Sequence, residues 1–428
     1  MNVEETSQQD EPYNGPVPGP SGPWIPEGLL IVGAVLLSVL IFASAAVGYG
    51  WFADRQERVA SDTASERSDQ SRDEESEPST GLDDEVLPCP NSTALEICEA
   101  AEFVQQAREK PFKEFPAVEL LDGDAFVEAL LEDYDEGRQD LEHAELAYKG
   151  LGFVDPDFDL FGEFRKVLSV NVVGFYDPET GRLVVKGGEL NFYVQSVLVH
   201  ELVHALDDQW FDLDREFEDD EQRYGFVAVV EGNATVIEES WTAQLSRDEQ
   251  VQLFADQASA FSDEDLDLLR NLPRAILDLQ LSPYEDGAAF LLAAASEQSA
   301  VDELLVSPPE TAERVLHPET EASSDPQVEV DEPGLDVEPE DSGKLGEVVL
   351  RQLFDTEAAQ GWDGDTYVVW ERDSRACIAV NVALETERDR TELLQSAQRW
   401  AGSDPNRRAE LVGSGNDSLV SFTNCEGS

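Results

Sequence analysis

Two histidines and a glutamate lie close together in the apolar stretch Asn191 to Trp210, NFYVQSVLVHELVHALDDQW. On a helix, His200 and His204 lie one turn apart on the same face, so both imidazoles can bind one ion. Glu201 follows the first histidine and can reach a water molecule held by that ion. The chain has only four histidines, and two of them are used here. The spacing predicts a divalent-metal site in preference to a core helix whose histidines are merely packed or hydrogen-bonded.

A catalytic zinc site needs three protein ligands and an open position for water. Glu231 is the candidate third ligand, because it follows the apolar run Phe226 to Val230 in a second helix-compatible stretch, Gln222 to Leu245. Burying an unpaired carboxylate there would be costly, whereas binding a cation removes that cost. Gly232 and Ala234 are small and would let this helix approach the first one closely. The alternative is a solvent-facing glutamate in an acid-rich chain.

These residue types suit the hydrolysis of a peptide bond. Zn²⁺ held by His200, His204 and Glu231 would lower the pKa of its water towards ~7 and polarise the scissile carbonyl. Glu201 would take the water proton as general base and deliver it to the leaving amine. The alternatives are a surface protein that binds the metal without catalysis and a metal-free adhesion or cell-wall module. A structural site has no need of Glu201, so the pattern favours the enzyme.

An oxyanion formed during peptide hydrolysis also needs a hydrogen-bond donor beside the metal. His317 is our candidate for this catalytic role, because its loop-like His-Pro context suits a residue that reaches into a site. Tyr284 is the alternative donor. A structural histidine in a turn is the other reading of His317.

The sequence strings around these residues resemble a known family. HELVH, followed by VVEGNAT with Glu231, is similar to the gluzincin branch of zinc metallopeptidases. GFYDPETGRLVV, HELVHALDDQWFDL and PYEDGAAF resemble prokaryotic secreted or surface-anchored proteins with such a domain, haloarchaeal surface proteins in particular. The likeness runs from about Phe115 to Ala401. It implies a zincin-like fold with peptide or protein as substrate.

Two site features follow from the resemblance. In zincin-like folds an edge strand beside the metal helix pairs with the extended substrate, and Leu183 to Lys186 would be that strand; an ordinary hairpin is the alternative. The chain departs from the gluzincin pattern at Thr235, where such enzymes have an aspartate that orients a histidine. The Thr235 hydroxyl could accept the imidazole N–H, but it would supply no charge.

The composition indicates a halophilic environment. The formal net charge is -65, from 93 acidic and 28 basic residues. Such a chain repels itself at ordinary salt, but near 1 M salt the Debye length falls to ~3 Å and screens the repulsion. The charge also disfavours nucleic acid and anionic membrane surfaces as partners. Because 41% of the residues are hydrophobic, the chain can still bury a core.

The N-terminal part predicts a membrane tether. Residues 1–28 are rich in proline, glycine and acid, which predicts a disordered tail. Leu29 to Phe52 has no charge and is long enough to span a bilayer of ~30 Å, with Trp24 and Trp51 as interfacial anchors. It lacks the basic flank of a cleaved signal peptide, and a core helix is the remaining alternative. Residues 53–88 are rich in serine and acid and predict a flexible linker.

Two signals conflict on the orientation of this span. Arg55 and Arg58 follow it, which favours a cytoplasmic C-terminal part by the positive-inside rule. The four cysteines fall into the local pairs Cys89 with Cys98 and Cys377 with Cys425, which suits disulfides in an oxidising compartment. Large domains can translocate regardless of flanking charge. We therefore expect a single-pass membrane protein with its catalytic domain on the extracellular face.

The fold class expected for the rest is α+β. Residues 89–317 would form the zincin-like domain, mainly helical with a small hairpin around the Asp177-Pro-Glu-Thr-Gly turn. Helices are predicted over Glu264 to Leu281 and Ala288 to Ala295, with Pro283 to Gly287 opening the second. Residues 318–343 form an acidic linker, and residues 344–428 a smaller α+β unit without a catalytic constellation. The sequence leaves the oligomeric state open.

Overall fold

The computed structural model describes residues 86–319, 328–415 and 418–426. The predicted tail and membrane span lie outside these residues, as do nearly all of the N-terminal linker and residues 320–327 of the second linker. Within the described ranges, no helix is both long and apolar enough to cross a membrane.

The described residues form an α+β protein. The N-terminal part contains α1 (Leu95–Ala107), β1 (Val118–Leu121), α2 (Gly123–Glu136), α3 (Arg138–Leu151), α4 (Leu160–Asn171), β2 (Gly174–Asp177) and β3 (Arg182–Lys186). The middle part is helical, with α5 (Phe192–Phe211), α6 (Asp220–Gln244), α7 (Arg247–Ala260), α8 (Asp263–Asn271), α9 (Arg274–Ala294), α10 (Gln298–Val306) and α11 (Ala312–Leu316). The C-terminal part contains β4 (Asp341–Gly343), α12 (Gly346–Leu353), α13 (Thr356–Ala359), β5 (Trp362–Glu371), β6 (Ala376–Leu384), α14 (Glu387–Ala401), β7 (Arg408–Val412) and β8 (Leu419–Cys425).

A three-stranded sheet lies beside α5, with strand order β1-β3-β2. The predicted hairpin is confirmed: β2 and β3 pair antiparallel, and the Gly181 N–H donates to the Asp177 carbonyl at 2.8 Å with Gly181 at φ +68°. The expectation that Leu183 to Lys186 is an edge strand is wrong. β1 pairs parallel with the other side of β3, so β3 is central and β1 and β2 are the edges.

The α5 helix is the predicted metal helix, and its predicted cap is confirmed. The Asn191 side chain accepts from the Val194 N–H at 2.9 Å, and Asp256 on α7 accepts from the Phe192 N–H at 3.1 Å. The helix is buried on nearly all sides from Tyr193 to Asp207, which explains why it is apolar around its whole circumference. Two caps from different elements fix the end of the helix that leads to His200.

The α9 helix differs from the prediction, because it runs unbroken through Pro283. A proline inside a helix leaves the carbonyl four residues before it without its usual N–H donor. Here the Ser282 hydroxyl donates to that carbonyl, of Leu279, at 2.9 Å. A local side-chain donor thus replaces the lost backbone bond, and Pro283 lies inside one 21-residue helix.

The C-terminal part forms a five-stranded antiparallel sheet with strand order β4-β5-β6-β8-β7. The predicted disulfides are both present. Cys377–Cys425 joins a directly paired position of β6 and β8, and Cys89–Cys98 ties the segment before α1 to that helix. The sheet packs on α3, where the Asn424 amide donates to the Gly150 carbonyl at 2.7 Å. One hydrophobic core runs from α2 and α3 into this sheet.

Candidate metal centre

The predicted ligands come together where α5 and α6 pack against each other. His200, His204 and Glu231 each offer one ligand atom, and these atoms lie within 4.8 Å of one another. Glu231 Oε2 is 3.2 Å from His200 Nε2 and 3.4 Å from His204 Nε2. All three side chains are buried. The group could therefore hold a metal ion.

These distances can be compared with the geometry of a zinc site. Donor atoms bound at ~2.1 Å to one tetrahedral ion lie roughly 3.4 Å apart. The two contacts of Glu231 Oε2, at 3.2 and 3.4 Å, match that separation closely. Two imidazoles and one carboxylate are also a common ligand set of catalytic zinc. The residues present therefore fit a zinc ion in both chemistry and spacing.

Glu238 provides a contact that the sequence analysis missed. Its Oε2 lies 3.2 Å from Nδ1 of His200, the ring nitrogen that is not directed at Glu231. Burial lowers the pKa of His200, but hydrogen bonds with Glu231 and Glu238 outweigh it and raise the pKa to about 10. A carboxylate in this position holds the ring orientation of a metal-binding histidine and makes the ligand more basic.

The role expected of Thr235 is therefore wrong. Its Oγ1 is buried and has no hydrogen-bond partner among the described residues, whereas Glu238 bonds the imidazole. Glu238 follows Glu231 by seven residues, which places both on the same face of α6. That spacing was the signal that could have identified it. A carboxylate thus bonds His200, one turn further along the helix than Thr235.

Glu201 also has a buried polar atom without a partner beside the candidate ligands. Its side chain is buried, and Oε1 has no hydrogen-bond partner among the described residues. Burial raises the pKa of this carboxyl, while the charges of His204 and His200 oppose the rise. A Cβ placed on Gly174 of β2 would lie 3.5 Å from Glu201 Cγ, so β2 packs close to this side chain. The Glu201 side chain therefore lies where α5 packs against the edge strand β2.

Of the two expected oxyanion donors, Tyr284 lies at the ligands and His317 pairs elsewhere. The Tyr284 ring stacks on His200 with centroids 6.1 Å apart and planes 27° apart. His317 Nε2 lies 3.0 Å from both carboxylate oxygens of Glu347, which is buried on α12. The hydrogen bond with Glu347 raises the pKa of His317. His317 as an oxyanion donor stays a prediction, and Tyr284 is the candidate whose ring lies beside His200.

Glycine and alanine on α6 contact two different helices. Gly232 packs against α9, since a Cβ added there would lie 2.7 Å from the Ala288 nitrogen. Ala234 lies in the apolar cluster that surrounds α5. The close approach predicted between the two ligand helices is therefore correct for Ala234, whereas Gly232 serves the crossing with α9.

Comparison with known proteins adds one match. Residues 335–424 match a family described as a domain of unknown function (DUF8575). No curated protein matches the chain, and no solved structure matches it. The matched region covers the C-terminal sheet and its helices and lies outside the His200, His204 and Glu231 group.

Proposed function

We propose that this chain is a zinc metallopeptidase of the gluzincin type, in which His200, His204 and Glu231 hold the ion and Glu201 is the general base. The observation that carries the proposal is that Glu201 is buried and its Oε1 has no hydrogen-bond partner among the described residues. A buried carboxylate oxygen without a partner costs free energy, and a metal site that only stabilised the fold would gain nothing from it. A hydrolase needs this oxygen for its attacking water.

The chain's own residues have distinct parts in the reaction. When bound, zinc acidifies a water ligand and polarises the scissile carbonyl. Glu201 accepts a proton from the attacking water and passes it to the leaving amine. Glu238 holds the ring of His200, and Tyr284 covers it.

We further propose that the substrate binds as an extended peptide along β2. β2 is an edge strand, and its Gly174 lies beside Glu201. An edge strand offers backbone groups that an extended peptide can pair with. A glycine at this point keeps space next to the general base, since a Cβ there would also lie 2.9 Å from Val197 Cγ1. This assignment replaces β3, which has strands on both sides.

The proposed setting is the outer face of the cell membrane of a halophile. The two disulfides suit an oxidising compartment. Tethering would depend on the apolar stretch Leu29 to Phe52, and residues 53–88 would give the enzyme reach above the membrane. The net charge of -65 requires high salt for the compact state, so the substrate is a peptide or protein encountered in brine.

The direct test is digestion of a peptide library by purified protein in multimolar salt. We expect cleavage, loss of cleavage after treatment with a chelator, and recovery when Zn²⁺ is added back. Mn²⁺ and Co²⁺ in parallel samples identify the preferred ion. Zinc-loaded protein that cleaves neither peptides nor unfolded proteins would contradict the proposal and leave a metal-binding surface protein in its place.

A further inference from the structure

A fully buried arginine lies near the metal centre, although it belongs to neither ligand helix. Arg108, at the C-terminal end of α1, has 0% exposure in a chain with only 28 basic residues. Burying a cation is costly unless it is paired and hydrogen-bonded. Its guanidinium donates to Asp207 on α5 from Nε at 2.7 Å and from Nη2 at 2.6 Å. It also contacts Asp302 and Gln298 on α10.

Asp207 connects this arginine to the second ligand helix. It follows His204 by three residues and is 1% exposed. Oδ1 accepts from Arg108, and Oδ2 accepts from the Asn233 amide on α6 at 2.7 Å. Asn233 is 2% exposed and follows Glu231 by two residues. The chain Arg108–Asp207–Asn233 therefore joins α1, α5 and α6 within one turn of two ligands.

The hydrogen bond between Asp207 and Asn233 is directional, unlike the apolar contacts around it. Apolar side chains from both helices pack between α5 and α6, and the hydrophobic effect that drives their burial is not directional. A hydrogen bond holds its two heavy atoms to within a few tenths of an ångström and prefers a nearly linear angle. The Asp207–Asn233 bond thus fixes how α5 and α6 lie along each other. The separation of His204 Nε2 and Glu231 Oε2, 3.4 Å, depends on that alignment.

We propose that Arg108, Asp207 and Asn233 are positioning residues of the metal centre. Arg108 holds the Asp207 carboxylate in one orientation, and Asp207 holds Asn233, so that the ligands on both helices are set before the ion binds. The inference rests on the proposed metal site. It assigns these residues no contact with the ion or the substrate. Their part is to hold the two helices that carry the ligands, with further contacts from α1 and α10.

The test compares zinc affinity with stability in the full chain at multimolar salt. Asn233→Ala removes the bond between the helices. We expect zinc binding, measured by competition with a chelator, to weaken by roughly 10- to 100-fold, the loss typical of residues that support metal ligands. The visible spectrum of the Co²⁺-substituted protein should shift as well, because it reports ligand geometry. Val380→Ala, in the core of the C-terminal sheet, is the control for lost stability and should leave zinc affinity unchanged.

A paired exchange separates positioning from general damage. Asn233→Asp places two carboxylates face to face and should weaken zinc binding. The double variant Asp207→Asn with Asn233→Asp restores a bond of reversed polarity, in which the amide at position 207 donates to the carboxylate at 233. It should recover most of the affinity. Asn233→Ala and Asn233→Asp that bind zinc as tightly as wild type would overturn the inference. Wild type that binds no zinc would instead overturn the proposed function, and the inference with it.

Discussion

Tyr284 on α9 lies face to face with His200 on α5, with ring centroids 6.1 Å apart. Three residues further along α9, the backbone of Gly287 packs directly against the carbonyl of Ala228 on α6. The crossing of α6 and α9 therefore determines where the Tyr284 ring lies beside His200. Because Gly232 on α6 faces the same crossing, both helices contribute a residue without a side chain there.

Gly287→Ala should destabilise the protein strongly. The added Cβ would lie well inside van der Waals contact with the Ala228 carbonyl oxygen and 3.1 Å from its Cα, and backbone atoms cannot move aside as a flexible side chain can. We expect a loss of at least ~1–3 kcal/mol in the free energy of unfolding. Gly334→Ala is the control, because no atom lies within 4 Å of the added Cβ. Equal unfolding midpoints in denaturant for both variants would contradict the close crossing.

Glu231→Gln should abolish stable metal binding. The amide oxygen is a much weaker zinc ligand than a carboxylate, and only two imidazoles remain. We expect the metal content after gel filtration to fall from one ion per chain to near zero. Glu239→Gln removes a neighbouring acid on the same helix that is not part of the ligand group and should retain the ion. Metal analysis of the two variants side by side is the measurement, and retention by both would exclude Glu231 as a ligand.

Glu221 should make the fold less stable as the pH rises. It is fully buried on α6, where its Oε2 accepts from the Ala312 N–H at 2.9 Å and Oε1 has no partner among the described residues. Burial raises the pKa of this carboxyl well above the ordinary value of 4.5, and the charges of Asp365 and Asp219 add to the rise. The folded state thus binds the proton more tightly than the unfolded state. The stability is fully present below pH 4.5 and is lost as the pH rises towards the folded pKa.

Glu221→Gln tests this pH dependence, because the amide is nearly isosteric with the neutral acid. As the pH rises above 4.5, the free energy of unfolding of the variant should increase relative to that of wild type, by at most ~1.4 kcal/mol per pH unit. Denaturant titrations at pH 5 and pH 8, at one salt concentration, give the comparison. Parallel pH profiles for the two proteins would refute a raised pKa at Glu221. Other buried acids contribute equally to both and cancel in the difference.

The two disulfides should contribute unequally to stability. Cys377–Cys425 closes a sequence separation of 48 and Cys89–Cys98 one of 9. Loop-closure entropy predicts about 4 kcal/mol for the longer loop and about 3 kcal/mol for the shorter one. We expect the Cys377→Ser/Cys425→Ser variant to unfold at lower denaturant concentration than Cys89→Ser/Cys98→Ser. The reverse order would contradict the loop-closure argument. Free thiols in protein isolated without reductant would contradict the disulfides and the proposed external location.

The grouping of His200, His204 and Glu231 could be predicted because each residue leaves a local signal in the sequence. His200 and His204 are placed by the period of one helix, and Glu231 stands out as an acid after an apolar run. The same is true of the hairpin at Asp177 and of the cysteine pairs. Each depends on residues near one another in the chain or on a scarce residue type. Such features can be predicted without knowledge of the tertiary structure.

The supporting contacts could not be predicted because they join distant segments. β1 pairs with β3 from more than 60 positions earlier in the sequence, and that pairing converts an expected edge strand into a central one. Pro283 was expected to open a separate helix, yet it lies inside α9, where Ser282 satisfies the carbonyl it exposes. The partner of His200 on α6 is Glu238 and not Thr235. Which of the two reaches the imidazole depends on how α5 and α6 pack against each other. In each case packing, rather than local propensity, decided the outcome.

The proposed hydrolysis depends most on Glu201 acting as the base beside a bound ion. The decisive measurement is peptide cleavage by zinc-loaded Glu201→Gln in multimolar salt, with zinc content determined on the same sample. We predict that this variant holds as much zinc as wild type and loses nearly all hydrolysis. Wild-type rates in the zinc-loaded variant would contradict the assignment of Glu201 and, with it, the proposed mechanism.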